Sequence, residues 1–290
     1  MHRRGGDISH LLGSLPKNAN FSALDFLPMP FHVCALQLDL HWHQPDANRR
    51  HIRRWVDDHI GQTDLILLPE MFPTGFTMDA APWAEPADGP TRAWMQELAW
   101  ERGCLVGGSV ITQAEGAYYN RFLLAGPQGL VDSYDKRHTF RMAGEHEHYA
   151  SGQRRVVVEY QGWRILLLVC YDLRFPVWSR NLRRGDRMDY DLILCVANWP
   201  APRVSQWEAL LTARAIENQC YVVGVNRVGQ DGNGVPYSGS SMIIDPLGRP
   251  LATAAQQETC LFAHLDREQL QQYRAKFPVW MDADPFQLGD

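Results

Sequence analysis

The sequence predicts one α/β domain built as a layered sandwich, with sheets inside and helices covering them. Three observations predict it. Helix-period and strand-period segments alternate at both ends of the chain, and antiparallel hairpin signals fill the middle. No flexible linker or break in composition divides the 290 residues. There is more strand than a simple doubly wound sheet needs, and no repeat of solenoid length.

The elements follow in order. The first 28 residues read as a loose extension with a basic start but no continuous apolar core, and Met29 reads as an alternative start to a domain spanning 29–290. Phe31 to Leu38 alternates and is rich in β-formers, so it is the first strand. Ala47 to Ile60 is an amphipathic helix with Ile52, Trp55, Val56 and Ile60 on one face. Leu65 to Leu68 is a short buried strand ending at Pro69-Glu70, followed by a long loop holding Phe72 and Phe76. Pro90 opens a helix that runs to Arg102, as proline suits a first turn. Cys104 to Ile111, Tyr118 to Ala125 and Leu130 to Tyr134 are strands, the last leading into Lys136. Arg154 to Tyr160 and Trp163 to Val169 form a hairpin around Gln161-Gly162. After Cys170 a polar turn leads to Phe175-Pro176 and a helix over Val177 to Arg184. Asp191 to Ala197 is another buried strand, ending at Asn198-Trp199-Pro200, and Arg203 to Gln219 is a helix with Trp207, Leu210, Leu211 and Ala215 inward. Cys220 to Asn226, Ser240 to Ile244 and Cys260 to Leu265 complete the strands, and Asp266 N-caps a last helix.

Composition excludes several classes of function. A net charge of −5 gives no reason to expect nucleic acid or an anionic membrane as partner. No apolar stretch approaches the roughly 18 residues needed to span a bilayer. Six cysteines without a C-x-x-C pair suit a reducing cytoplasm better than a disulfide framework or a zinc finger. His138, His146 and His148 cluster with Glu145 and Glu147, but an i, i+2 histidine pair suits no common helical zinc motif, and no metal is expected.

Chemistry concentrates at strand ends. Glu70, Lys136 and Cys170 each follow directly on an apolar strand, and residues at the carboxyl ends of strands gather at a common edge where ligands bind. There they supply a base, an oxyanion stabiliser and a nucleophile. A turn between strand and helix holds Cys170 at the mouth of a site and favours its thiolate. Read singly, each residue has a plain alternative: a solvated carboxylate, a surface lysine, a small buried hydrophobe.

Together, Pro69-Glu70-Met71-Phe72, Asp135-Lys136-Arg137-His138 and Val169-Cys170-Tyr171-Asp172-Leu173-Arg174-Phe175-Pro176 resemble the nitrilase, or carbon–nitrogen hydrolase, superfamily. Asn198-Trp199-Pro200 and the Arg214 to Asn218 run strengthen the resemblance, which extends from about Phe31 to about Leu265. It implies a four-layer αββα sandwich, often a homodimer, with a Glu-Lys-Cys triad that needs no cofactor. In that reading Glu70 takes the Cys170 proton, and Cys170 attacks an amide or nitrile carbon. Lys136 and the Tyr171 N–H hold the oxyanion. Relatives carry a second glutamate after the lysine, and its usual spacing to a glycine fits Glu145 with Gly152 better than it fits Glu147.

Within the superfamily, the Pro69 to Met78, Lys136 to Glu145 and Cys170 to Arg180 stretches are most similar to the omega-amidase branch. That branch hydrolyses the terminal amide of 2-oxo-dicarboxylic acid monoamides, small molecules that carry a carboxylate. Arg174, and Arg141 with it, become candidates to meet that charge. Trp199, Phe72 and Phe76 become candidate pocket walls, whereas Asp172 and Arg174 are expected to brace the turn as an ion pair. Thr139 departs from the leucine common in similar sequences, which touches loop packing more than chemistry. The alternatives are a nitrilase, a carbamoyl-amide hydrolase or an aliphatic amidase on the same triad, and a non-enzymatic interaction module.

Overall fold

The structure, a computed structural model, describes residues 30–185 and 187–287; the expected extension and the Met29 start lie outside them. Two sheets share one plan. In the first, the strands run in the order Thr259–Leu265, Phe31–Gln37, Leu65–Leu67, Leu105–Ala114, Ala117–Gly126 and Gly129–Asp135. In the second, the order is Val157–Tyr160, Trp163–Val169, Leu192–Val196, Tyr221–Val225, Met242–Ile244 and Pro250–Thr253. Read in these orders, both sheets pair antiparallel, parallel, parallel, antiparallel, antiparallel.

Period-2 alternation builds the layers. On the first strand Phe31, Val33 and Ala35 join the core between the sheets, where they meet Ile165 and Leu167. Cys34 and Leu36 point the other way, onto Ile52 and Val56 of the Pro45–His59 helix and Met95 and Leu98 of the Pro90–Arg102 helix. The second sheet is covered by the Val204–Asn218 helix, through Trp207, Leu211 and Ala215, and by the Arg267–Lys276 helix, through Leu270. The result is the four-layer αββα sandwich. All seven residues of Trp163–Val169 are buried, as a strand with a layer on each face requires. Asp266 caps the last helix by accepting the Gln269 N–H at 2.9 Å.

The expected helix over Val177 to Arg184 is a single turn, Pro176–Ser179, preceded by the 3₁₀ helix Cys170–Arg174. Asn181 stops it. Its amide donates to the Tyr190 and Asn218 carbonyls at 2.9 and 3.0 Å and accepts the Tyr190 N–H at 3.1 Å, which holds the chain out of the helix. The strands Val228–Gln230, Pro236–Ser238 and Pro250–Thr253 carry Gly and Pro and give weak strand signals; they appear only as paired ribbons or edges.

Candidate active site

Four strand ends converge at one end of the sandwich. Leu65–Leu67 delivers Glu70, Gly129–Asp135 delivers Lys136, Trp163–Val169 delivers Cys170 and Leu192–Val196 delivers Asn198. The one-turn helix Glu145–His148 brings Glu145 to the same place. Lys136, Glu70 and Glu145 are sealed from solvent, at 1%, 0% and 0% exposure. The Lys136 Nζ donates to Glu70 Oε1 at 2.9 Å and to both Glu145 oxygens at 3.0 and 2.9 Å.

One ammonium between two carboxylates leaves a net negative charge in a dry place, which is tolerable only if the remaining lone pairs find donors. They do. Asn120 Nδ2 donates to Glu70 Oε1 at 2.7 Å and to Glu145 Oε1 at 3.3 Å. The Asn198 N–H reaches Glu70 Oε2 at 2.8 Å, and the Phe140 N–H reaches Glu145 Oε2 at 2.5 Å. Burial alone would push the Lys136 ammonium down, but Glu145 and Glu70 outweigh it and hold the group well above its ordinary value. Lys136 therefore stays charged.

Cys170 sits at φ 46°, in the left-handed region that a non-glycine residue rarely adopts. Asp172 holds that conformation. Its buried carboxylate accepts the Val169 N–H at 3.0 Å, the Tyr134 hydroxyl at 2.8 Å, and the N–H and Nδ1 of His138 at 2.9 and 2.8 Å. The expected Asp172–Arg174 ion pair is thus absent: a side chain already accepting four hydrogen bonds has no need of it. Arg214 braces the same turn from beneath, donating to the Leu173 carbonyl at 2.6 Å while pairing with Glu217 at 2.8 Å. Burial pushes the Cys170 thiol well up, the negative charge of Glu70 adds to this, and Lys136 only opposes it. This direction runs against the expected favoured thiolate.

Cys170 opens onto a pocket of about 740 Å³. Tyr171, Arg174, Trp199 and Phe76 line it, as the sequence suggested, and the Phe76 ring lies 5.1 Å from Lys136 Nζ. Phe72 does not. Met71 takes φ 42°, and Phe72 turns onto the helix-covered face, fully buried beside Trp94 at 5.9 Å. Arg141 is exposed and outside the lining, whereas Arg203 is in it. Glu147 points outward with 69% of its side chain exposed. His138 stacks on Phe175 at 3.8 Å, and His146 and His148 border a separate cavity. Among the described residues no three His, Cys, Asp or Glu side chains are grouped to hold a metal ion.

Residues 33–275 match the family model for carbon–nitrogen hydrolase. The chain belongs to the carbon–nitrogen hydrolase family. It is 54% identical to the omega-amidase YafV of Escherichia coli K12 over 257 residues, 88% of this chain and 98% of that protein. It is 32% identical to the 2-oxoglutaramate amidase of Bacillus subtilis over 259 residues, with the same two coverages, 88% and 98%. A solved relative is a carbon–nitrogen hydrolase superfamily protein from Xanthomonas campestris with an arsenic adduct in its active site. That structure superposes with a TM-score of 0.88 at 44% identity, covering 90% of this chain and 99% of its own.

For this carbon–nitrogen hydrolase, sequence reasoning missed Asn120 and the full part played by Asn198. Asn120 is a lone amide inside the apolar Ala117–Gly126 strand, where an isolated buried polar group is the signal that was available. Its Oδ1 accepts the Ser109 hydroxyl at 2.8 Å, and Ser109 in turn accepts the Met71 N–H at 2.8 Å. That chain ties the Glu70 loop to the neighbouring strands. Asn198 adds a second clamp through Nδ2, which donates to the Glu70 carbonyl at 2.6 Å.

Proposed function

We propose that this protein is an omega-amidase that hydrolyses the terminal amide of 2-oxo-dicarboxylic acid monoamides such as 2-oxoglutaramate, releasing ammonia. The observation that carries the reading is the match to the E. coli omega-amidase along 98% of that protein's length. The buried Glu70–Lys136–Glu145 cluster behind a cysteine held at positive φ supports the chemistry.

In the proposed reaction Glu70 accepts the Cys170 proton as the sulfur bonds to the amide carbon, and the carbonyl π electrons move onto oxygen. Lys136 stabilises that oxyanion together with the Tyr171 N–H, which lies in the first turn of the 3₁₀ helix where N–H groups lack an internal acceptor. Collapse expels the nitrogen, which takes the proton from Glu70 and departs as ammonia, leaving a thioester. Glu70 then removes a proton from water as the hydroxide adds to the thioester; the C–S bond breaks with its electron pair going to sulfur, which takes the proton back from Glu70 and frees the acid. Glu145 neutralises and positions Lys136. Arg174 meets the substrate carboxylate, since it lines the pocket and carries its charge over the Trp199 face at 4.7 Å.

The test is ammonia release from 2-oxoglutaramate beside glutamine, a short aliphatic amide and a nitrile. Turnover of the oxo-acid amide far above the other three is expected; preference for one of them would discard this substrate class. A cytoplasmic location is part of the proposal, supported by the six unpaired cysteines. So is a homodimer, supported by half-exposed apolar side chains at Ile216 on the Val204–Asn218 helix and at Phe277 just past the Arg267–Lys276 helix. Light scattering should return twice the chain mass of 33.1 kDa, and a mass near one chain would reject the dimer.

A further inference from the structure

We infer that Arg203 is a second substrate-binding cation, which completes with Arg174 a clamp for the carboxylate at the far end of the acyl group. The inference deepens the omega-amidase reading and rests on it. Arg203 ends the 3₁₀ turn Ala201–Arg203 that follows the Asn198 strand end, and it lines the same pocket as Cys170 and Arg174. Two aromatic shelves set the two guanidiniums: Arg174 lies 4.7 Å over Trp199 and Arg203 5.4 Å over Phe140. The shelves are tied to one another and to the nucleophile. Trp199 Nε1 donates to the Arg203 carbonyl at 2.8 Å, and the Phe140 ring meets Tyr171, the residue after Cys170, edge-on at 5.0 Å.

Arg174 and Arg203 differ from the fully buried arginines in their charge partners. Among the described residues the four buried arginines each hold a carboxylate: Arg164 and Arg274 share Asp191, Arg214 holds Glu217 and Arg227 holds Asp39. Arg174 and Arg203 form no ion pair among the described residues; Arg174 donates to the neutral Gln206 side chain at 2.5 Å. The two carboxylates in the pocket lining do not answer them. Asp231 spends its oxygens on the Asn233 and Val235 N–H groups and the Tyr237 hydroxyl, and Asp79 is exposed.

Two unmatched like charges facing a half-buried pocket repel each other, and an anion between them turns that repulsion into attraction. A guanidinium fork is shaped for a carboxylate, and two forks lining one pocket can hold both oxygens with a donor left for a neighbouring oxo group. The pocket therefore selects amides whose acyl chain ends in a carboxylate, over neutral amides of the same length.

The experiment compares the parent enzyme with Arg203→Gln and Arg203→Lys on 2-oxoglutaramate and on a neutral short aliphatic amide. Inhibition by the dicarboxylate product serves as a readout that needs no turnover. Arg203→Gln is expected to raise KM for 2-oxoglutaramate and Ki for the product by roughly 10- to 100-fold. The neutral amide should be cleaved as before, and Arg203→Lys should recover part of the loss. An unchanged KM and Ki, or an equal loss on the charged and neutral amides, would overturn the assignment. If the parent prefers another carboxylate-bearing amide, such as succinamate, the 2-oxo-acid reading fails. The contrast between that amide and the neutral one then still decides Arg203.

Discussion

A Cys170→Ala protein is expected to release ammonia from 2-oxoglutaramate at least about 10⁴-fold more slowly than the parent, with its fold intact. The substitution removes the only protein atom proposed to bond to substrate carbon, and it removes little buried volume. The turn that carries the residue is held by the Asp172 carboxylate and the Arg214 guanidinium, and neither depends on sulfur. Circular dichroism and the thermal midpoint should be close to those of the parent, while a mutant that kept the parental rate would end the triad hypothesis. The parent's own sulfur provides a pH check. Because burial raises the Cys170 thiol, with Glu70 adding to it, the thiolate fraction at neutral pH is lower than in an exposed cysteine. Alkylation of Cys170 by iodoacetamide should climb only above the ordinary thiol range of about 8.5. A rate already at its plateau at pH 6 would show an ion-paired thiolate instead.

Glu145→Gln is expected to lower kcat by about 10²- to 10³-fold, whereas Glu147→Gln should change it less than about twofold. Glu145 gives both oxygens to Lys136 and a lone pair to the Phe140 N–H, with no exposure to water. An amide there removes a charge that holds the ammonium in place, and it turns a donor toward a donor. Glu147 meets only solvent and a distant imidazole at 3.7 Å. Steady-state kinetics on the two variants decide the matter, and the reverse ranking would move the auxiliary role to Glu147.

The legible parts of this molecule were those encoded in neighbouring residues. A β-strand exposes its period-2 pattern over a few positions, so Phe31, Val33 and Ala35 declare one face and Cys34 and Leu36 the other. A reactive residue placed right after an apolar run is at a strand end by covalent adjacency, which is why Glu70, Lys136 and Cys170 could be named. The choice between Glu145 and Glu147 came from resemblance, not from periodicity. Their different surroundings, one sealed against Lys136 and one in water, are a property of the fold.

Local order in the chain thus encoded the layer pattern, the strand ends that carry the site, and the family. Tertiary structure alone decided the rest, because each remaining feature depends on atoms distant in the chain. Asn120 matters because its strand lies beside Glu70, 50 positions away in the chain. Phe72 leaves the pocket because Met71 turns the backbone, and Asp172 ignores Arg174 because Tyr134 and His138 reach it first. The Cys170 thiol rises because burial and a carboxylate outweigh one lysine, a balance no local pattern can display. Arg203, rather than Arg141, lines the pocket because the turn after Asn198 sets its guanidinium over the Phe140 ring.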